Sequence, residues 1–270
     1  MPQTQPVAGS WTHTTAPADP GPLAGALDAQ DANPGIRRLR AWACESLAVK
    51  AGERALDVGA GTGSQTRELA VAVGPDGVAL GIEPDPELRA VAEARSVGGR
   101  ARFTHGHALA LPVPDASVDV VWCERVLQHL TEPDRAVAEM VRVLRPGGRV
   151  ALLDTDWATT ILYPADPEIT WALASGALTG VANPYSGRRL VGHATAAGLV
   201  VDDRGCEALF QDHRSVAWPV ISMLGDSAVR RGLLTERQRD AAYSTLAEAA
   251  ERGGLHMSVT MFGVVAHRPG

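Results

Sequence analysis

The stretch ALDVGAGTGSQTREL, residues 55–69, limits what this chain can fold into more than any other part of it. An apolar run containing Asp57 leads into Gly59, Gly61 and Gly63, and a helix-forming segment comes next. That is a buried strand, a glycine turn and a helix, the unit from which parallel α/β sheets are assembled. Glycine accepts left-handed backbone and lets a ligand approach bare main chain. Thr62 and Gln65 have the spacing of a capping box. The helix is therefore expected to begin at the glycines, its free N–H groups facing the carboxyl end of the strand.

The same alternation continues. VALGIE, ARFTHG, VDVVWCE and RVALLDTDW read as strands, and PELRAVAEARSV and EPDRAVAEMVRVL as helices between them, stopped by Gly98-Gly99 and RPGG. This predicts a mostly parallel, doubly wound sheet. Upstream, Ile36, Leu39, Ala43 and Leu47 recur at helical spacing, so one amphipathic helix packs on the elements after it. Residues 1–33, rich in Pro, Thr, Ala and Asp, read as a flexible N-terminal arm, leaving 34–270 as the folded domain. In the second half, Asp166 and Pro167 open one helix, SGRRLVGHATAAG forms another, and Thr235 and Gln238 form a capping box for a third. LVVDDRGCEALF is a strand, and HMSVTMFGVVAHRP, apolar on both faces, is an internal last strand. Segments of about 158–186 and 211–254 are cap insertions around these strands.

Composition narrows the class. Hydrophobic residues make up 45% of the 270, enough for a real core. The net charge is −6 and no basic cluster exceeds RRLR, which argues against nucleic acid as partner. Cys44, Cys123 and Cys206 are odd in number and widely spaced, as in a reducing, cytoplasmic compartment. No apolar run approaches a membrane span, and the N-terminus lacks the charged and apolar regions of a secretory signal. A small-molecule partner remains, and a homodimer is compatible with the chain.

Asp57 selects among nucleotides. A dinucleotide would set its pyrophosphate at the helix start, and Asp57 would place negative charge beside it. Gly59, Gly61 and Gly63 also give GxGxG, with Ser64 where a dinucleotide fingerprint has its third glycine. A ligand with an ammonium suits the site better, and S-adenosylmethionine carries one. Glu83, at the end of the second strand, can accept both hydroxyls of a ribose.

LDVGAGTG, GIEPD, ALPVPDASVDVVWCERVLQHL, RVLRPGGRVALLDTDW and GRRLVGHATAAGL together resemble the class I S-adenosylmethionine-dependent methyltransferases. The likeness is to the branch of ubiquinone/menaquinone-biosynthesis and small-molecule natural-product methyltransferases, over roughly residues 36–200. It implies a Rossmann-like seven-stranded sheet with the last strand antiparallel, under a helical cap. It also implies cofactor contacts at Asp57, Gly59, Ala60, Gly61 and Thr62, at Glu83 and Pro84, at His107 and Ala108, and at Cys123, Glu124 and Arg125. One position departs from the pattern: GHALALP stands where the family has GDAxxLP, so His107 takes the place of an aspartate that meets the adenine amine. Neutral imidazole can accept one hydrogen bond there. His105 and His107 share a strand face, but no further ligands accompany them, and no metal is expected.

Methyl transfer is an in-line displacement on an already activated methyl group, so the protein must position the acceptor and, where needed, take a proton. His129, just beyond the fourth strand, is the first base candidate and Asp156, at the end of the fifth, the second. Asp154 lies beside Asp156. Trp157, Tyr163, Trp171, Tyr185, Phe210 and Trp218 fall around the cap segments and read as acceptor pocket and lid. Arg188 and Arg189 could meet an anionic acceptor. The expectation is methyl transfer to a small molecule, of the kind found in bacterial secondary metabolism, with O-methylation favoured over C- or N-methylation. The rivals are a cyclase or other non-transferase that binds S-adenosylmethionine on the same fold, and an NAD-dependent oxidoreductase.

Overall fold

The computed structural model describes residues 21–178, 181–210 and 217–270. Helices α1 (Gly21–Asp31) and α2 (Pro34–Leu47) precede β1 (Arg54–Val58), α3 (Ser64–Val73), β2 (Val78–Ile82), α4 (Pro86–Ala94) and β3 (Ala101–Thr104). Then come β4 (Val118–Glu124), a short 3-10 turn at Leu127–His129, α5 (Pro133–Val143) and β5 (Leu144–Tyr163). The chain closes with α6 (Pro167–Ala177), α7 (Ser186–Ala196), β6 (Val200–Phe210), α8 (Ala217–Arg230), α9 (Glu236–Glu251) and β7 (His256–His267). The seven strands form one sheet in the order β3-β2-β1-β4-β5-β7-β6. β1 to β5 pair in parallel, while β7 runs antiparallel to both β5 and β6. β7 is thus internal, as its two apolar faces require.

Local chemistry sets the element ends. Asn33 accepts hydrogen bonds from the N–H groups of Gly35 and Ile36, and Pro34 opens α2. Asp85 caps α4 and Asp166 caps α6 in the same way, and Thr235 and Gln238 close a reciprocal box on α9. Ile36, Leu39, Ala43 and Leu47 of α2 are buried against one face of the sheet with Trp122 and Leu153. Val137 and Met140 of α5 and Leu190 and Ala194 of α7 fill the other face.

Three expectations change. Residues 21–31, read as part of a flexible arm, form α1; residues 1–20 lie outside the described residues. Thr62 does not cap α3. The N-cap is Gly63, at φ 77°, and no side chain caps it. Gly63 takes this place because its N–H closes a tight turn onto the Ala60 carbonyl at 2.8 Å, and a Cβ there would meet the Phe103 ring at 2.6 Å. Finally, β5 does not end near Trp157. Its pairing with β7 shifts between Asp156 and Ile161 and then resumes through Tyr163 against His256, so a bulge carries the strand onward. Leu162 and Met257 on this extension join Leu173 of α6, Ile221 and Leu224 of α8 and Leu246 of α9 in a third apolar cluster. This is the region read as a cap.

Candidate cofactor and acceptor site

The carboxyl ends of β1, β2 and β4 meet around the glycine turn. The N–H groups of Gly59 and Ala60 donate to the Ile82 carbonyl at 2.8 and 3.0 Å, tying the turn to the end of β2. Gly59 sits at φ 77°, and a Cβ there would lie 2.4 Å from Val126 Cγ2. Any side chain at Gly59 is therefore excluded, by its own backbone conformation and by Val126 packed against it. Glu83 is buried at the end of β2, its two oxygens accepting from the N–H groups of Gly61 and Asp85 at 2.8 and 2.9 Å. Each oxygen keeps further acceptor capacity. Asp57 is 3% exposed and accepts a 2.6 Å hydrogen bond from the Thr66 hydroxyl. Burial pushes its carboxyl up to about 7 against the pull of that hydrogen bond, and the nearby charges of Glu124 and Glu83 add to the rise.

Glu124, at the end of β4, is held by Arg40 of α2 through contacts of 2.7 and 3.0 Å. Burial raises its pKa, but Arg40 and Arg125 outweigh burial and keep it ionised more easily than an ordinary glutamate. Arg40 also reaches Asp31 of α1 at 2.7 Å. Arg125 occupies left-handed backbone at φ 56°, a costly conformation for a side-chain-bearing residue, and sets its guanidinium between Glu124 and α1. Thr62 is buried, Pro84 is exposed, and Cys123 is buried with its thiol pushed well up, by burial first. Ala108 is buried, while His107 is exposed and accepts from the Leu109 N–H at 3.2 Å. With Nδ1 accepting that bond, the neutral ring carries its proton on Nε2, so the acceptor expected of His107 for an adenine amine is already engaged. Among the described residues no group of His, Cys, Asp and Glu could hold a metal ion.

Across the end of β4 and the part of β5 just before its bulge lies the second half of the site. Asp154 is fully buried and accepts from the Gln128 N–H, the Thr155 N–H and the Ser186 hydroxyl at 2.8–2.9 Å. Burial raises its pKa to about 7. Gln128 in turn accepts from the Trp157 indole at 2.7 Å, and its carbonyl accepts from the Asn183 N–H at 2.8 Å. Asp156 is equally buried, clasped by the Arg188 guanidinium on two sides and by the Ala158 N–H at 3.1 Å. Arg188 and Arg189 both lie over the Tyr185 ring, at 5.1 and 5.6 Å. His129 is half-buried in the 3-10 turn, and burial, then the charge of Arg125, depresses its pKa to about 4. It is a neutral imidazole at physiological pH. Trp157 and Tyr185 are half-buried here; Tyr163, Trp171 and Phe210 are exposed on the extension and cap, and the Trp218 side chain lies outside the described residues.

Comparison with known proteins agrees with this arrangement. Residues 56–152 match the model of a methyltransferase domain. Over 255 residues the chain is 32% identical to an uncharacterised 37.1 kDa protein of transposon TN4556 in Streptomyces fradiae, covering 89% of this chain and 70% of that one. A ubiquinone/menaquinone biosynthesis C-methyltransferase, UbiE, of Stutzerimonas stutzeri is 34% identical over 134 residues, 48% of this chain and 52% of that protein. The chain thus spans about half the length of its UbiE relatives. Among solved structures, a SAM-dependent methyltransferase of Aquifex aeolicus superposes with a TM-score of 0.52 at 17% identity, over 92% of this chain and 93% of that one, which speaks for the fold.

The chain belongs to the class I S-adenosylmethionine-dependent methyltransferases. Its donor set fits that cofactor and not a dinucleotide. Three acids, Asp57, Glu83 and Glu124, lie around the cleft, and the charges of Glu124 and Glu83 make Asp57 harder to ionise, an arrangement hostile to a pyrophosphate and favourable to an ammonium and a ribose diol. Arg40 and Asp31 escaped sequence reasoning. Their contacts with Glu124 and with each other span 84 and 9 residues, and no local spacing signals an ion pair that closes across three elements.

Proposed function

We propose that this methyltransferase passes the methyl group of S-adenosylmethionine to a small acceptor held between the end of β4, the part of β5 just before its bulge and the cap of α6, α8 and α9. The observation that carries the reading is the bare glycine turn flanked by Asp57 and Glu83 and facing Glu124. When bound, the cofactor supplies an electrophilic methyl on a sulfonium. Glu83 would hold its ribose, the backbone at Gly59 to Gly61 would lie under it, and Asp57 and Glu124 would receive its amine. His129 sits on the acceptor side, neutral but weakly basic, and Asp156 is engaged by Arg188. Neither can deprotonate an ordinary alcohol. An acceptor that ionises by itself, such as an acidic phenol or an enol, suits this site best, and its O-methylation asks the protein for positioning rather than for a strong base. A role in bacterial secondary metabolism and a cytoplasmic site of action go with this reading; no described helix is long and apolar enough to cross a membrane.

Calorimetry tests the cofactor half. S-adenosylhomocysteine should bind, NAD should not, and Asp57→Asn should weaken binding by about tenfold, the loss of one charge-assisted contact. Single-turnover incubation of labelled S-adenosylmethionine with acidic phenols and enols tests the transfer half. Label remaining wholly on the cofactor with every acceptor, while the cofactor binds tightly, would favour a non-transferase of this fold.

A further inference from the structure

Helix α1 lies across one side of the cofactor cleft. Leu27 Cδ1 approaches within 3.2 Å of where a Gly61 Cβ would be, so this side chain stands directly over the glycine turn. Asp28 clasps Arg95, at the end of α4, through two bonds of 2.6 and 2.8 Å. Gln30 receives Arg125 from the end of β4. Asp31 receives Arg40 from α2 at 2.7 Å and lies 3.6 Å from Arg125. Every one of these partners belongs to the body of the domain, and three of the four polar contacts are ionic.

The charges around Asp31 are matched. Two guanidiniums, Arg40 and Arg125, face two carboxylates, Glu124 and Asp31. A ligand with an amino-acid end brings an ammonium and a further carboxylate. Asp57 can take the ammonium, but the new carboxylate leaves one acid too many for the two arginines. Glu124 is fixed on a central strand with its side chain 6% exposed, whereas Asp31 ends a peripheral helix at 19%. Asp31 is the one that can leave.

We propose that α1 is the closing side of the cofactor site and that Asp31 is a resident carboxylate exchanged for the carboxylate of the bound amino-acid moiety. Asp28 and Arg95 form the latch that returns α1 over the ligand. The proposal rests on S-adenosylmethionine being the ligand of the cleft. Entry of the cofactor then requires α1 to release Arg40 and Arg125, and α1 re-docks through Leu27 and Asp28 once the ligand holds those arginines itself.

Two ligands separate the exchange from a general loosening. S-adenosylhomocysteine carries the amino-acid end; 5′-methylthioadenosine lacks it. In titration calorimetry on the full chain, Asp31→Asn should tighten S-adenosylhomocysteine about threefold to tenfold, because a competing carboxylate of a partly exposed ion pair is removed. Its affinity for 5′-methylthioadenosine should stay unchanged. Asp28→Ala should speed dissociation of both ligands in stopped-flow displacement. Equal effects of Asp31→Asn on both ligands, or weaker binding of S-adenosylhomocysteine, would overturn the exchange. Unchanged dissociation in Asp28→Ala would overturn the latch. Failure of the unaltered protein to bind either ligand would instead refute the cofactor reading beneath both.

Discussion

At the scale of single residues, the site depends on positions where a side chain is forbidden. Gly59 combines left-handed backbone with 2.4 Å between a notional Cβ and Val126. Gly59→Ala should cost about 1–3 kcal/mol of stability through the strained conformation and the displaced valine, and cofactor affinity should fall as well because the turn that carries the cradle shifts with them. Chemical denaturation and calorimetry on the same variant check both. An alanine variant of native affinity would mean that the ligand does not lie on this turn. The glycines were readable in the sequence because the left-handed backbone of the turn is a local demand, whereas the crowding by Val126 and Phe103 was not. Thr62 misled at that local level. Its spacing to Gln65 was right for a box, but the turn hydrogen bond from Gly63 to Ala60 had already placed the start of α3 one residue further on.

At the scale of elements, Asp154 joins three of them. Its carboxylate ties β5 to the 3-10 turn through the Gln128 N–H and to the head of α7 through Ser186. Asp154→Ala strands those buried donors, and about 2–4 kcal/mol of destabilisation is expected. Asp154→Asn keeps an acceptor oxygen and should cost much less. Equal losses in urea titrations of the two variants would show that the carbonyl-type acceptor is not what matters. Helices whose reasons are amphipathic or capped were legible beforehand: α2 from Ile36, Leu39, Ala43 and Leu47, and α9 from Thr235 and Gln238. Helix α1 was not. GPLAGALDAQD has weak apolar contrast, and the contacts that hold it reach to Arg95 and Arg125, 67 and 95 residues away. The passage of β5 through Tyr163 was not legible either, because it depends on a pairing with β7 that no single segment reveals.

At the scale of the whole molecule, buried carboxyls set the response to pH. Asp57 and Asp154 have ordinary values of 3.8 raised to about 7 by burial. The folded form therefore holds protons that the unfolded chain has lost, and the stability these groups contribute is complete below about pH 4 and declines as pH rises through 7. His129 works in the opposite sense. Lowered from 6.5 to about 4, it penalises the fold at acid pH, and that penalty is gone once pH exceeds 6.5. Between pH 6.5 and 7.5 only the two aspartates act among these three groups, so the melting temperature of the ligand-free protein should fall across that interval. Asp57→Asn should flatten the fall. Calorimetric melts that rise with pH there, or run parallel in the variant, would contradict the burial assigned to Asp57. A cofactor ammonium reverses the cost by giving ionised Asp57 a partner, so binding should recover a fraction of the lost stability.

β5 and β7 continue past the bulge at residues 157–160 and carry the cap on their own extension. The helices clustered on Leu162 and Met257 are thereby packed on the sheet's own strands rather than hung from a loop. α1 is held instead by side-chain contacts to Arg40, Arg95 and Arg125, over the glycine turn. On the proposal that α1 opens for the cofactor, donor exchange breaks side-chain contacts and no strand pairing.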